Sequence, residues 1–81
     1  MPSVRLLSRP DCGLCHEFAS ELARVFGRRV AVEIVDVDRE PPLRLRYGRL
    51  IPVLVDAESQ PICITVFDRD AVAAWLARQP V

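Results

Sequence analysis

The sequence has no net charge and no long apolar run, and each absence excludes a class of protein. It holds 11 basic and 11 acidic residues, so no charge of one sign indicates a nucleic-acid or membrane partner. Its first segment, MPSVRLLSRP, has only two adjacent leucines between arginines, which is too short for a signal peptide or a membrane span. We therefore expect a cytoplasmic protein that binds neither nucleic acid nor membranes.

The chain also lacks the even set of cysteines that stabilises a small secreted scaffold. It has three cysteines, and in a reducing cytosol a close pair is more often catalytic or metal-binding than structural. Its 81 residues are enough for one domain and too few for two. A hydrophobic fraction of 51% favours a packed core over disorder. Because no repeat or linker interrupts the sequence, we expect a single domain spanning residues 1–81.

Proline and glycine divide the first part of the chain into a strand and a helix. The stretch SVRLL favours a strand, which has to end before Pro10. Apolar residues then recur at helical spacing from Cys12 to Phe26. They are Leu14, Phe18, Leu22, Val25 and Phe26. We expect Asp11 to be the N-cap of this helix and Gly27 its C-cap.

The remainder predicts three more strands and two more helices. Residues 29–37 alternate in polarity and are rich in valine, as in a strand. Two prolines at 41 and 42 can open a short helix before Gly48. Two strands then flank a polar turn at residues 56–60, and Asp68 is placed to cap a last helix.

The resulting element order is β-α-β-α-β-β-α. A strand, helix, strand unit of this length implies a right-handed parallel crossover. The later pair of strands adds an antiparallel hairpin to the same sheet. The sequence therefore predicts an α/β fold, a mixed four-stranded sheet with helices on both faces.

The segment Cys-Gly-Leu-Cys-His at residues 12–16 allows three interpretations. A c-type haem attaches to such a motif, but it also needs export and a second axial ligand, for which only Met1 is left. Zinc needs four ligands, which Cys12, Cys15, His16 and Cys63 could supply. The spacing disfavours zinc, because Cys63 stands alone in a strand-like run and His16 points away from Cys15 on a helix.

A redox dithiol fits the predicted helix best. With Cys12 at its start and Cys15 one turn later, the two thiols lie on one face, close enough to form and open a disulfide. Unsatisfied amides and the positive end of the helix dipole stabilise a thiolate at Cys12. A Cys-x-x-Cys pair beside a βαβ pattern is typical of a redox motif.

A family resemblance supports the redox interpretation. The segment YGRLIPVLV places Pro52 before the third predicted strand, and Ile51-Pro52 resembles the cis-proline loop that faces the dithiol in the thioredoxin superfamily. Over nearly its full length the chain resembles the small bacterial glutaredoxin-like proteins. The matching stretches are SRPDCGLC, VDVDREPPLRLRYGRLIPVL and VFDRDAVAAWL.

The resemblance implies a thioredoxin fold and a thiol-disulfide oxidoreductase. Cys12 is then the nucleophile and Cys15 the resolving thiol. A cis Pro52 leaves the backbone of Ile51 free to pair with an extended substrate. Arg9 matches the basic position that glutaredoxins place near the thiolate. The resemblance thus implies Cys12 and Cys15 as catalytic residues, and Arg9, Ile51 and Pro52 as substrate-binding residues.

The sequence differs from glutaredoxins proper at positions linked to glutathione. Gly13-Leu14 stands between the cysteines in place of Pro-Tyr, and Leu50-Ile51 replaces Thr-Val before the proline. The Gly-Gly turn with its following acidic residue has no clear counterpart in PICITVFDRD. Glutathione is therefore one candidate reductant or co-substrate, and we expect no tightly bound cofactor. The expected partner is a disulfide-containing protein or a small thiol substrate. We expect the protein itself to be a monomer.

Several polar residues have both a functional and a structural interpretation. Four arginines crowd the stretch before the third strand: Arg39, Arg44, Arg46 and Arg49. They could form a rim for an anionic substrate, although a solvated surface explains them as well. His16 and Cys63 are more simply a surface and a packing residue. Two other functions stay open: a binding module with little catalysis, and a carrier of metal or an iron–sulfur cluster that uses Cys12.

Overall fold

The computed structural model describes residues 1–80, and its elements follow the predicted order. The strands are β1 (Ser3–Ser8), β2 (Ala31–Asp36), β3 (Val53–Val55) and β4 (Pro61–Ile64). The helices are α1 (Gly13–Phe26), α2 (Pro41–Tyr47) and α3 (Arg69–Ala77). Short 3-10 helices at Gly27–Arg29 and Val37–Arg39 flank β2. The predicted order β-α-β-α-β-β-α is confirmed.

The strands form one mixed sheet in the order β2-β1-β3-β4. Strands β1 and β2 are parallel, with α1 as the crossover between them, and β3 is antiparallel to both β1 and β4. A central strand that is covered on both faces needs a continuous apolar run, which β3 has in its sequence VLV. At the edge, β2 leaves Val32 and Ile34 exposed. The prediction of a mixed four-stranded sheet is confirmed.

Helices cover both faces of the sheet, as predicted. Successive residues of a strand point to opposite faces, so Leu6 and Leu7 of β1 belong to different cores. Leu6 packs in a cluster with Phe18 of α1 and Trp75 of α3. Leu7 packs on the other side, in a cluster with Tyr47 of α2. Burying a side chain such as Leu6 stabilises the fold by about 1.5–3 kcal/mol.

The ends of the helices follow from the local sequence. Gly27 ends α1 with a positive φ of 51°, and its N–H donates to the carbonyl of Ala23. The two prolines occupy the first turn of α2, where no backbone N–H is needed. Asp68 caps α3, and its Oδ1 accepts the N–H of Ala71 at 3.0 Å. Within residues 1–80, none of the helices is both long enough and apolar enough to span a bilayer.

Three details differ from the sequence-based predictions. The N-cap of α1 is Cys12 and not Asp11, because Asp11 lies in a turn closed by the Cys12 N–H and the Arg9 carbonyl at 3.1 Å. Leu14, predicted on the apolar face of α1, is 62% exposed, since the buried face begins only at Cys15. Strand β2 is shorter than residues 29–37, because 3-10 turns occupy both ends of that segment.

Candidate redox site

Three chain segments meet at one end of the sheet. Leu7 of β1 pairs with Val53 of β3, and Val53 pairs with Ile64 of β4. Because both pairings are antiparallel, the carboxyl ends of β1 and β4 lie beside the amino end of β3. The chain leaves β1 here toward Cys12 and enters β3 here through Pro52. The strand register therefore gathers the predicted site residues at this end of the molecule.

Cys12 and Cys15 form a disulfide, with their Cα atoms 5.2 Å apart. Cys12 is the N-cap of α1, and its Sγ accepts a hydrogen bond from the backbone N–H of Cys15 at 3.1 Å. Cys12 is partly exposed, whereas Cys15 is only 1% exposed. The two sulfur atoms thus differ in access, and a bulky reaction partner can approach Cys12 more readily than Cys15.

The start of α1 is electrostatically suited to a thiolate. Its first turn carries no acidic side chain, so no carboxylate within that turn offsets the partial positive charge of the free backbone N–H groups. The sulfur of Cys12 occupies the position that a hydroxyl or carboxylate oxygen takes in most helix caps. A negative charge on this sulfur is stabilised by the helix itself.

Aromatic packing fixes α1 relative to the segment that follows β4. The ring centres of Phe18 and Phe67 are 5.4 Å apart, with the ring planes at 87°. The ring of Phe26 lies 6.4 Å from the same Phe67 ring. Such edge-to-face pairs contribute about 0.5–1.5 kcal/mol beyond area burial. They hold the helix that carries the dithiol against the end of β4.

The loop at residues 50–52 enters β3 at the end of the sheet where the chain leaves β1 toward Cys12. The Ile51–Pro52 peptide bond is cis, Pro52 is buried and Ile51 is half-buried. The N–H of Leu50 donates to the carbonyl of Tyr47 at 2.8 Å, which ties the loop to the end of α2. Within residues 1–80, no backbone hydrogen bond outside the helices and the sheet involves Ile51.

Thr65 is a residue of this end of the sheet that the sequence does not single out. Its N–H donates to the carbonyl of Pro52 at 2.7 Å, and its Oγ1 donates to the carbonyl of Leu50 at 2.6 Å. It has a positive φ of 68°. Glycine and asparagine are the residues that usually signal such a conformation. A threonine therefore gives no recognisable turn signal here.

Arg9 contacts the α2 side of the fold through two of its nitrogen atoms. Its Nε donates to Oδ2 of Asp38 at 3.0 Å, and its Nη1 donates to the carbonyl of Gly48 at 2.9 Å. The hydrogen bond from Arg9 lowers the pKa of Asp38 below its ordinary value. A Cβ at position 48 would lie 2.6 Å from the carbonyl oxygen of Arg44, so only glycine fits so close to this carbonyl. These bonds join the end of β1 to α2, and substrate binding by Arg9 stays a prediction.

Cys63 and His16 are in different environments from the dithiol. Cys63 is a free, buried cysteine whose Sγ donates to the carbonyl of Asp68 at 3.6 Å, and burial raises the pKa of its thiol. His16 is exposed on α1. Within the described residues, no three His, Cys, Asp or Glu side chains are close enough together to hold a metal ion. The four candidate zinc ligands are therefore not brought together.

The four arginines before β3 are all exposed. The guanidinium of Arg46 lies 5.1 Å from the ring centre of Tyr47. The Nε of Arg39 lies 3.9 Å from a carboxylate oxygen of Asp36. These contacts place both side chains on the surface around α2, where a solvated surface and a rim for an anionic substrate both remain open.

The mixed sheet, its helices and the Cys-x-x-Cys pair at the start of the first helix define a protein of the thioredoxin fold with a redox-type site. The sequence profile of the glutaredoxin-like domain (DUF836) matches residues 3–77. The chain therefore belongs to this glutaredoxin-like family, and the resemblance deduced from the sequence is confirmed. None of the curated protein sequences matches the chain.

Two of the solved structures that resemble the chain match almost all of its length. A protein of Nitrosomonas europaea, solved by solution NMR, is 24% identical with a TM-score of 0.80, over 93% of this chain and 92% of that chain. A protein of X. campestris, solved by X-ray crystallography, is 31% identical with a TM-score of 0.72, over 95% of this chain and 99% of that chain. Both comparisons support the predicted fold.

Proposed function

We propose that the protein is a thiol-disulfide oxidoreductase, with Cys12 as the nucleophile and Cys15 as the resolving thiol. The observation that carries the proposal is the unequal placement of the two sulfur atoms. Cys12 is partly exposed at the helix start, where backbone N–H groups stabilise a thiolate. Cys15 is buried, so it reacts with its neighbour more readily than with an outside disulfide.

The exchange takes place in two steps from the reduced protein. The Cys12 thiolate attacks one sulfur of the substrate disulfide, forms a mixed disulfide and releases the other substrate sulfur as a thiolate. Cys15 then loses its proton to solvent and attacks the Sγ of Cys12. This second step breaks the mixed disulfide, releases the second substrate thiolate and leaves the Cys12–Cys15 disulfide. Two electrons pass from the protein to the substrate.

Arg9, Ile51 and Pro52 are the residues that we assign to substrate binding. The main chain of Ile51 is the proposed pairing site for an extended substrate, in the manner of strand addition. Two nitrogen atoms of Arg9 are engaged with Asp38 and Gly48. Its Nη2 has no hydrogen bond within residues 1–80, and we assign this donor to an acidic group of the substrate.

Turnover needs an external reductant, because each cycle leaves the protein oxidised. We propose glutathione or a separate dithiol reductase for this role, with no tightly bound cofactor. The proposed partner is a protein disulfide or a small disulfide, and we propose that the protein acts as a cytoplasmic monomer. The residues between the cysteines, Gly13 and Leu14, are uncharged, so they set no bias within the superfamily range of roughly −270 to −120 mV.

The test is equilibration of the protein with redox buffers, followed by an assay of turnover. We expect a reversible two-electron couple, and catalytic reduction of a peptide disulfide with either glutathione or a dithiol reductant. The matched control is the double variant Cys12→Ser/Cys15→Ser, which keeps Cys63 and should show neither. A reversible couple without turnover of any disulfide would favour a binding module and contradict the proposal. Metal bound by protein purified without oxidant would favour a carrier instead.

A further inference from the structure

The chain makes a strained turn directly after β4. The N–H of Val66 donates to the carbonyl of Ile64 at 2.7 Å, which closes a three-residue turn around Thr65. Thr65 has a φ of 68°, the form of γ-turn that is rare and strained. A β-branched residue is especially disfavoured at positive φ. Such outliers persist only where surrounding bonds hold them, and they cluster at functional sites.

The hydrogen bonds that Thr65 donates from its N–H and its hydroxyl both end on the loop at residues 50–52. Its N–H and its Oγ1 donate to the carbonyls of Pro52 and Leu50, at 2.7 Å and 2.6 Å. These carbonyls belong to the residues on either side of Ile51. One strained residue therefore fixes the main chain both before and after Ile51, while the backbone of Ile51 itself has no hydrogen bond outside the helices and sheet in residues 1–80.

We propose that Thr65 is a positioning residue that holds the main chain of Ile51 ready to bind an extended polypeptide substrate. This inference rests on the proposed function and deepens it, because it assigns a preorganised binding segment and favours protein disulfides as the substrate class. Thr65 acts through Leu50 and Pro52, so it is not itself a catalytic residue.

We call the two hydrogen bonds from Thr65 to the carbonyls of Leu50 and Pro52 the clamp. Its physical effect is to preorganise the main chain between them. Residues 50–52 lie outside every helix and strand, so their main chain would lose conformational freedom on pairing with a substrate. Fixing the segment beforehand removes part of that cost and improves affinity without adding a contact. Two apolar side chains beside the clamp, Leu50 and Val66, are exposed. They offer apolar contacts to the side chains of a bound polypeptide.

A set of substitutions separates the hydroxyl of Thr65 from its backbone strain. Thr65→Ser keeps the hydroxyl donor, and Thr65→Val keeps the shape and the strain but loses the donor. Thr65→Gly removes both the strain and the donor. Ser59→Gly is the matched control, because Ser59 has a φ of 63° in the turn at the opposite end of the β3–β4 hairpin.

The experiment compares two substrates of the reduced proteins. One is an extended peptide with an internal disulfide, and the other is hydroxyethyl disulfide, which has no main chain to pair. We expect Thr65→Val and Thr65→Gly to raise KM for the peptide about two- to tenfold, the range for one lost hydrogen bond, with kcat unchanged. Reaction with hydroxyethyl disulfide should stay at the wild-type rate. Thr65→Ser and Ser59→Gly should behave as wild type with both substrates.

Several outcomes would overturn the clamp. They are a wild-type KM of Thr65→Val or Thr65→Gly for the peptide, and an equal loss with both substrates. Should Thr65→Val fail to fold, Thr65→Gly decides, since glycine accepts a positive φ without strain. Amide hydrogen exchange at Leu50, whose N–H donates to the carbonyl of Tyr47, should be faster in Thr65→Gly than in wild type, which reports loss of the clamp without any assay of activity. Failure of the wild-type protein to reduce either disulfide would instead overturn the proposed function and the role of Thr65 with it.

Discussion

Two of the α-helices in residues 1–80 begin with a side-chain cap, and the caps differ in chemistry. At the start of α3, the carboxylate of Asp68 accepts the N–H of Ala71, and Asp70 adds a second acidic side chain in the first turn. At the start of α1, a sulfur atom of Cys12 accepts the N–H of Cys15, and the first turn has no acidic side chain. A cysteine also lies near each helix start, since Cys63 donates to the carbonyl of Asp68.

The difference shows how the fold separates stability from reactivity. Carboxylates near a helix start stabilise the helix and offset the partial positive charge of its N-terminus. The N-terminus of α3 therefore stabilises a further negative charge only weakly. A sulfur is a weaker acceptor, and α1 therefore leaves its amides available to a thiolate. Cys63, beside the carboxylate-capped helix, is buried with a raised pKa. Only the helix with the weaker cap has an accessible thiol.

The comparison is tested most strongly by removing each sulfur of the dithiol. Cys12→Ser should abolish disulfide reduction, because no nucleophile remains at the start of α1. Cys15→Ser should still attack a disulfide, but it should accumulate a mixed disulfide that it cannot resolve. The measurement is mass spectrometry of each variant after treatment with a small disulfide.

Capping supplies an internal control for that experiment. Serine is a favoured N-cap residue. The free energy of unfolding of Cys12→Ser, measured in urea, should therefore be no lower than that of the reduced wild-type protein. A loss of activity without a loss of stability would then belong to chemistry alone. Faster reaction at Cys15 than at Cys12 would contradict the assignment of the nucleophile.

The other helix start should respond in the opposite way. Asp68→Ala should lower the free energy of unfolding by about 1 kcal/mol, within a range of about 0.5–2 kcal/mol, because the N–H of Ala71 loses its acceptor. The reaction of Cys12 should be unchanged. Asp70→Asn is the control, since it removes a charge from the same turn without removing the cap. An Asp68→Ala variant that keeps its stability but loses disulfide reduction would show that Asp68 serves the substrate and not the helix.

The periodicity of the sequence was sufficient to predict the fold. The valine-rich strands, the apolar spacing of α1 and the cap at Asp68 are local signals, and all three agree with the structure. The N-cap of α1 was misplaced by one residue because apolar periodicity does not fix the exact end of a helix. The cap is the residue with extended backbone before the first turn, which is Cys12 with φ −94° and ψ 104°.

The candidate site was predictable only where it is local in sequence. Cys12 and Cys15 are one turn apart, so their spacing alone brings them together. The contacts of Arg9 with Asp38 and Gly48 join residues 29 and 39 positions apart, and those of Thr65 depend on how β4 pairs with β3. No local pattern encodes such pairings, and threonine at a positive φ even runs against the usual signal for a turn.

A smaller effect is expected from the third cysteine. Cys63→Ser should leave the redox couple and the reduction of disulfides intact, because Cys63 is buried in the core and bonded to the carbonyl of Asp68. In the folded wild-type protein with its Cys12–Cys15 disulfide reduced, Cys63 should also alkylate far more slowly than Cys12, since burial raises the pKa of its thiol. Peptide mapping after alkylation measures the reaction of each cysteine, and after equilibration with redox buffers it also measures the redox couple. A disulfide from Cys63 to either cysteine of the pair would break the comparison between the two helix starts.

The smallest expected effect concerns the ion pair that joins the chain before α1 to the α2 side. The hydrogen bond from Arg9 lowers the pKa of Asp38 below its ordinary 3.8. A carboxyl whose pKa is lowered by folding stabilises the protein above its unfolded pKa, and this contribution is lost as the pH falls through its folded pKa. The stability difference between wild type and Asp38→Asn should therefore be constant near neutral pH and shrink in strong acid. Because Asp38 is exposed and Arg9 is partly exposed to solvent, salt should weaken the difference at neutral pH.

Urea unfolding across this pH range measures the difference, and a double-mutant cycle with Arg9→Gln assigns it to the pair. In the Arg9→Gln background, Asp38→Asn should no longer change the acid part of the profile. A difference that persists unchanged in strong acid would mean that Asp38 acts through its shape rather than its charge. Since Arg9 has two of its nitrogen atoms bonded on the α2 side, we expect the pair to act on stability, while the helix amides of α1 stabilise the thiolate of Cys12.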